Sequence, residues 1–163
     1  DPLEFEGEIT SSTTIRKHVI QGNLQKARGM LGRRVSVFGT VVKGSGRGKG
    51  LGFPTANLNL HHEIRPPSGV YATKVFKEGK EYNAITNIGT CPTFGESAQN
   101  DEPVVEAHII DFNESIYGKD LEVQFLYKLR EETRFESADE LKLQLERDKM
   151  RFMNRVSEKV LAE

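Results

Sequence analysis

The chain has 163 residues, about one domain and long enough to bury a real core. Its 23 Lys+Arg against 24 Asp+Glu give a net charge of −1, so no global field draws nucleic acid or an anionic membrane. A single cysteine, Cys91, excludes an internal disulfide and a cysteine-built metal site, and no apolar run reaches membrane-spanning length. No signal peptide is evident, so the cytoplasm is the expected setting; Asp1 in place of Met suggests a fragment or processed product.

Residues 12–31 predict two short helices. Ile15 and Val19 make one apolar edge, Leu24, Ala27 and Leu31 make another, and Gly22-Asn23 breaks them. From Arg33 to Leu129 the period changes to two. Val35, Val37 and Val41 share a parity, as do Tyr71, Thr73 and Val75 before a turn at Glu78-Gly79-Lys80. Tyr82–Ile88, Val104–Phe112 and Leu121–Leu129 follow, the last alternating Leu121, Val123, Phe125, Tyr127 and Leu129. About six strands without intervening helices predict an antiparallel barrel, so the fold class is mainly β. The polar stretch Glu96–Pro103 reads as a loop. Ser137, with Glu140 three residues on, opens a long C-terminal helix whose Ala138, Leu141, Leu145, Phe152, Val156 and Val160 line one side and pack on the barrel.

The stretch with most chemical content is Gly44-Ser-Gly-Arg-Gly-Lys-Gly-Leu-Gly52, which runs into Phe53-Pro-Thr-Ala-Asn57. Alternate glycines uncover backbone N–H groups, while Arg47 and Lys49 add positive charge, as an anion-embracing flap requires. Thr55 and Asn57, two apart in an extended segment, aim at one face. A Walker loop fails because Gly48-Lys49 is followed by Gly50, and the dinucleotide spacing fails from each starting glycine. Pro54 keeps the chain extended where both motifs need a helix. Read alone, the loop is also compatible with a glycine-rich surface turn, Thr55 with a strand hydroxyl and Asn57 with a turn amide. Glu106 shares its parity with Val104, His108, Ile110 and Phe112, so it either enters a functional cavity or faces solvent from a one-sided sheet. His18, His61 and His62 lack acidic or cysteine partners at metal-ligand spacing, and His108 reads as a strand side chain.

The segment Gly44–Asn57, with its Gly-Phe-Pro-Thr-Ala-Asn ending, resembles the signature of riboflavin kinases, which form the C-terminal half of bacterial bifunctional FAD synthetases. The resemblance continues through Pro67-Ser-Gly-Val-Tyr-Ala72, Asn87-Ile-Gly-Thr-Cys-Pro-Thr-Phe94, Val105–Phe112, Tyr117-Gly118 and Leu129–Phe135. One departure is Gly50, where some family members carry a larger residue. Ser11-Ser-Thr-Thr-Ile-Arg16 resembles the end of the FMN adenylyltransferase module of the same synthetases. The rest of that module, including any His-x-Gly-His element, is missing; a serine-rich helix cap would also account for the residues that remain.

The resemblance implies a Greek-key-like barrel over about 33–130 and a helix over about 137–162, together a kinase domain at 32–163. Residues 1–31 are then the end of the missing adenylyltransferase module. It implies transfer of the ATP γ-phosphoryl to the ribityl 5′-hydroxyl of riboflavin, giving FMN and ADP. Glu106 falls on the catalytic glutamate. ATP contacts fall on Gly44, Gly46, Arg47, Lys49, Gly52, Thr55, Asn57, Ile109, Asp111 and Tyr117, with Thr55 and Asn57 also holding Mg2+. Flavin contacts fall on Arg130, Thr133 and Phe135. The alternatives for Arg130 and Phe135 are a surface ion pair and a core aromatic. The expected partners are thus flavin and nucleotide, with neither nucleic acid nor membrane, and a fragment that is monomeric. A barrel of the same shape that binds flavin or nucleotide without transfer is the alternative function. A single-strand nucleic-acid binder would want basic grooves with interleaved aromatics, and aromatic content is only 8%.

Overall fold

A computed structural model of the chain describes residues 2–43, 52–60, 63–89 and 103–161. It opens with an element that the hydrophobic pattern did not signal: β1 (Glu4–Phe5) and β2 (Glu8–Ile9) pair as a minimal hairpin. The two turn residues, Glu6 and Gly7, have φ of 51° and 76°, the left-handed pair of a type I′ turn. Glu at the first position is not a usual turn residue, and two-residue strands are too short to show a period.

Helices α1 (Ser12–Ile20) and α2 (Leu24–Leu31) lie where apolar spacing places them. Ser11 caps α1, its Oγ accepting the Thr14 N–H at 3.1 Å. Glu8 joins three elements: its Oε2 lies 3.0 Å from His18 Nε2 on α1 and 2.9 Å from Lys26 Nζ on α2. Val19 and Ala27 enter the same core cluster as the barrel.

Six strands follow: β3 (Ser36–Val42), β4 (Ala56–Asn59), β5 (Gly69–Lys77), β6 (Lys80–Gly89), β7 (Val104–Ile109) and β8 (Asp120–Arg130). They close into an antiparallel barrel in the order β3-β4-β7-β6-β5-β8. Within the barrel, β5 and β6 form a tight hairpin, turning at Glu78 and Gly79 with φ of 50° and 80°. The chain crosses from β4 to β5 past two strands that come later in sequence, which is the Greek-key feature. No described helix is long and apolar enough to cross a membrane.

The interior is packed. Val37, Val41, Leu58, Val75, Ile88, Val105, Ala107, Leu121 and Val123 fill it, with Tyr71 edge-on to Phe125 at 5.3 Å between centroids. Two buried hydroxyls satisfy each other, Thr73 Oγ1 and Thr86 Oγ1 lying 2.8 Å apart. Tyr71 donates its OH to the Pro67 carbonyl at 2.7 Å, and burial raises its pKa to about 12.

A second apolar cluster lies outside the barrel, where helix α3 (Ala138–Leu161) covers the wall. Val70, Ala72 and Ile85 face outward there and meet a fully buried Phe152. The alternation in β8 does not run through to Leu129, because the register with β5 shifts: Thr73 pairs with Phe125 but Ala72 with Tyr127. This β-bulge turns Tyr127 and Leu129 toward α3, and the Tyr127 ring stands 6.3 Å from that of Phe152. Ser137 caps α3 as its sequence suggests, taking the Glu140 N–H at 3.2 Å. Ala138 is exposed, Leu141, Leu145 and Val156 are half-buried, and the Val160 side chain lies outside the described ones. Phe152 is therefore the one residue of the predicted apolar stripe that is fully inserted. Phe152→Ala should cost roughly 3–5 kcal/mol, read as a lowered urea midpoint in equilibrium denaturation, with the α3 helical signal lost first.

Candidate active site

The outer wall of the barrel carries a row of side chains that the register makes explicit. Asn57 of β4 is the partner of Glu106 of β7, and Glu106 is in turn the partner of Asn87 of β6. Asn87 is opposite Val70 of β5, and Val70 opposite Arg130 of β8. Their sequence neighbours Ala56, Leu58, Val105, Ala107, Ile88 and Tyr71 belong to the barrel core, so the row itself points outward. It crosses five strands, about 19 Å along the curved wall at the usual strand spacing.

At one end stand Asn57, Thr55 and Glu106. Asn57 is buried, Thr55 and Glu106 half-buried. The segment bearing Thr55 is fastened by His108, which shares the outward parity of Glu106. Its Nδ1–H donates to the Pro54 carbonyl at 2.9 Å, and its ring lies 5.1 Å from that of Phe53. Burial, the largest cause, lowers the His108 pKa and favours the neutral imidazole, while the bond to the Pro54 carbonyl works in the opposite direction. His108 thus positions the loop beside Glu106. Gly52, which starts the described part of this loop, is exposed with φ of 81°, where a side chain would be strained. Gly44, Gly46, Arg47 and Lys49 lie outside the described residues.

The other nucleotide positions are less convergent. Ile109 is buried in the barrel core, so only its backbone is available to a ligand. Asp111 lies two residues past β7 in the left-handed region, φ 55°, and its carboxylate meets Lys149 of α3 at 3.1 Å. Tyr117 is exposed beside Gly118, whose N–H donates to Val41 at the end of β3, one residue from the Val42 that pairs with Asn57.

The far end of the row is built around Arg130. Its Nε–H donates to both Asp148 oxygens, at 3.2 and 2.9 Å, and Nη1 to the Glu131 carbonyl at 3.1 Å. Asp148 is 3% exposed and also accepts from Gln144 at 2.9 Å. The pair locks β8 to α3 while two of the five guanidinium N–H groups are used, leaving three uncommitted among the described residues. Arg130 stands 5.7 Å from the Phe135 ring centroid, so both alternatives for this pair of residues are partly realised: an ion pair, though a buried one, and a half-buried aromatic. Thr133 is exposed in the same connection. This connection folds back on the wall, for the Glu132 carboxylate occupies the space a Gly89 side chain would need. Asp148, which holds Arg130, and Asn87, the cross-strand partner of Glu106, were not among the sequence candidates. Asp148 interrupts an apolar stripe with a charge, a signal that was there to be used.

Comparison with known proteins follows the same lines. A riboflavin kinase (flavokinase) family model matches residues 31–156. The chain belongs to the riboflavin kinase family. A bifunctional riboflavin kinase/FMN adenylyltransferase from Haemophilus influenzae is 42% identical over 145 residues, 88% of this chain and 46% of that protein. Its Bacillus subtilis counterpart is 39% identical over 150 residues, 91% of this chain and 47% of the other. The chain thus spans about half the length of the curated relatives it matches. Among solved structures, a Streptococcus pneumoniae chain named a macrolide-efflux protein aligns with a TM-score of 0.82 at 37% identity, over 94% of this chain and 49% of that one. Riboflavin kinase from Trypanosoma brucei aligns with a TM-score of 0.53 at 22% identity, over 75% and 79% of the two chains, and shows the shared fold.

Two outcomes follow from the geometry of this family member. Asp148→Ala leaves Arg130 half-buried without its partner and should cost roughly 3–5 kcal/mol in urea denaturation, whereas the paired change Arg130→Met with Asp148→Leu should recover most of that loss. His108 binds fewer protons folded than unfolded below its ordinary pKa of 6.5. Its contribution to stability is therefore complete above that value and declines as pH falls, until the folded imidazole itself protonates. Melting temperature followed from about pH 7.5 to about pH 5 should drop less steeply in His108→Gln than in the parent chain.

Proposed function

We propose that this chain catalyses ATP-dependent phosphorylation of riboflavin at the ribityl 5′-hydroxyl, giving FMN and ADP. The observation that carries the reading is the row itself: Glu106 stands between Asn57 and Asn87 on the outer wall, with Thr55 beside them and Arg130 and Phe135 at the opposite end. An elongated ligand with a planar, carbonyl-bearing ring at one end and a reactive hydroxyl at the other suits that layout. The Arg130 donors left over from Asp148 would meet ring carbonyls, the Phe135 face would cover the ring, and Thr133 would add a hydroxyl.

At the Glu106 end, the chemistry is in-line displacement. The 5′-oxygen forms a bond to the γ-phosphorus as the bond to the bridging oxygen breaks and ADP leaves; the hydroxyl proton passes to the Glu106 carboxylate. Thr55 and Asn57 offer neutral oxygens that fit a magnesium ion sharing the nucleotide's phosphates, which it would neutralise. Such an ion would depend on those phosphates, since no cluster of three His, Cys, Asp or Glu side chains among the described residues is arranged to hold one. Gly52 closes the glycine-rich segment 44–52, whose Arg47 and Lys49 would carry phosphate charge. Backbone groups at Ile109, with Asp111 and Tyr117, would border the nucleotide.

Residues 1–31 would be the end of an adenylyltransferase module, with the kinase domain at 32–163. The test is a product assay with riboflavin, ATP and magnesium, flavins resolved by chromatography. FMN and ADP should appear in equal amounts, with Glu106→Gln slower by about 10²–10⁴ if the carboxylate is the base. Riboflavin returned unchanged despite measurable flavin binding would replace the kinase with a binding module. Equal rates in parent and variant would keep the kinase and remove Glu106 as the base.

A further inference from the structure

Asp148 lies on α3 one turn before Phe152, on the side of the helix that covers the barrel wall. An ion pair is a poor way to hold two such surfaces together. Desolvating the charges offsets their attraction, and an apolar pair of similar size would dock the helix as well. The geometry of the pair is specific in another respect. Both Asp148 oxygens accept from Arg130 Nε, at 3.2 and 2.9 Å, and Oδ1 also accepts from Gln144 at 2.9 Å. Arg130 Nη1 donates to the Glu131 carbonyl at 3.1 Å, and the Phe135 ring centroid lies 5.7 Å from the guanidinium. The group is thus held at its root, and the three N–H groups uncommitted among the described residues are at its tip. It is not sealed in: 18% of the Arg130 side chain is accessible against 4% for Asp148, and Glu131 and Thr133 beside it are exposed.

We infer that Asp148 is a positioning residue for the flavin: by holding Nε, it turns the free end of the Arg130 guanidinium toward the ring of the substrate. The inference rests on the kinase reading above, which puts the ring carbonyls at Arg130. Without Asp148 the guanidinium would swing on its methylene stem, and each bond to the ring would then cost the entropy of fixing that stem. Asp148 removes that cost beforehand, because the bond across to α3 is already in place. It touches neither substrate and acts through Arg130 alone. Its effect therefore falls on flavin affinity, while nucleotide binding and the phosphoryl chemistry at Glu106 are spared.

The experiment follows FMN formation at varied riboflavin and at varied ATP, well below the lowest melting temperature, with a melting curve of each protein. It compares the parent chain, Asp148→Asn, which keeps the shape and loses the charge, and the paired change Arg130→Met with Asp148→Leu. Both variants should raise the riboflavin KM about tenfold or more, the loss of a charge-assisted hydrogen bond. Their ATP KM, and their kcat at saturating riboflavin, should stay within about twofold of the parent. The paired variant should melt close to the parent, because no charge is left buried alone, so its flavin defect is not a loss of folding. An unchanged riboflavin KM in either variant, or an ATP KM that rises in step with it, would overturn the assignment and leave Asp148 a structural residue. A parent chain that makes no FMN would instead remove the kinase reading, and this inference with it.

Discussion

The placement of β7 between β4 and β6 is the constraint on which the rest depends. Val105, Ala107 and Ile109 must face the barrel, because that parity is apolar and the interior is closed to water. Glu106 and His108 are then forced outward, one toward the row and the other under the loop that holds Thr55. A slip of one residue would put a carboxylate and an imidazole into the core, at a cost of several kcal/mol for the carboxylate alone. Core burial, which has no chemical specificity, is what sets the position of a chemically specific group.

Because side chains fill this six-stranded barrel, with Tyr71 against Phe125 and a satisfied Thr73–Thr86 pair at its centre, it has no cavity role for its inner face. The outer face divides instead. Beneath α3 it is apolar and closed by Phe152; beyond the helix it carries the polar side chains of Asn57, Glu106 and Asn87. Arg130 and Asp148 stand at the boundary and serve both sides. Their ion pair fixes the helix to the end of β8, and the same bond holds the guanidinium there with donors to spare among the described residues. Stability and site geometry are coupled at that point, since a helix that drifts would take the orientation of Arg130 with it.

The two ends of the row differed in how much of them could be read from the chain. Thr55 and Asn57 stood out as short polar groups two apart after a glycine-rich loop, Glu106 was singled out by the family resemblance, and the register brings Asn57 and Glu106 abreast. Asn87 was not a candidate: its strand was recognised, and only the register shows it as the cross-strand partner of Glu106. Ile109 shows the opposite case, a position carried over by resemblance whose side chain the barrel takes for its core. The bulge in β8 could not be read either. Residues 121–129 alternate without interruption, and the shift exists only relative to β5.

What the sequence by itself determined is local: the break between α1 and α2 at Gly22-Asn23, the turn at Glu78-Gly79, the cap of α3 at Ser137, and the parity of each strand. Each is set by residues within a few positions of one another, through backbone freedom, capping or period. Only the tertiary structure decided which strands are neighbours, that β4 is paired with β7 across 45-odd residues of chain, and that one parity of β5 packs inward while the other packs under α3. Those outcomes rest on burial shared between distant segments, where an apolar residue states that it will be covered and not by what.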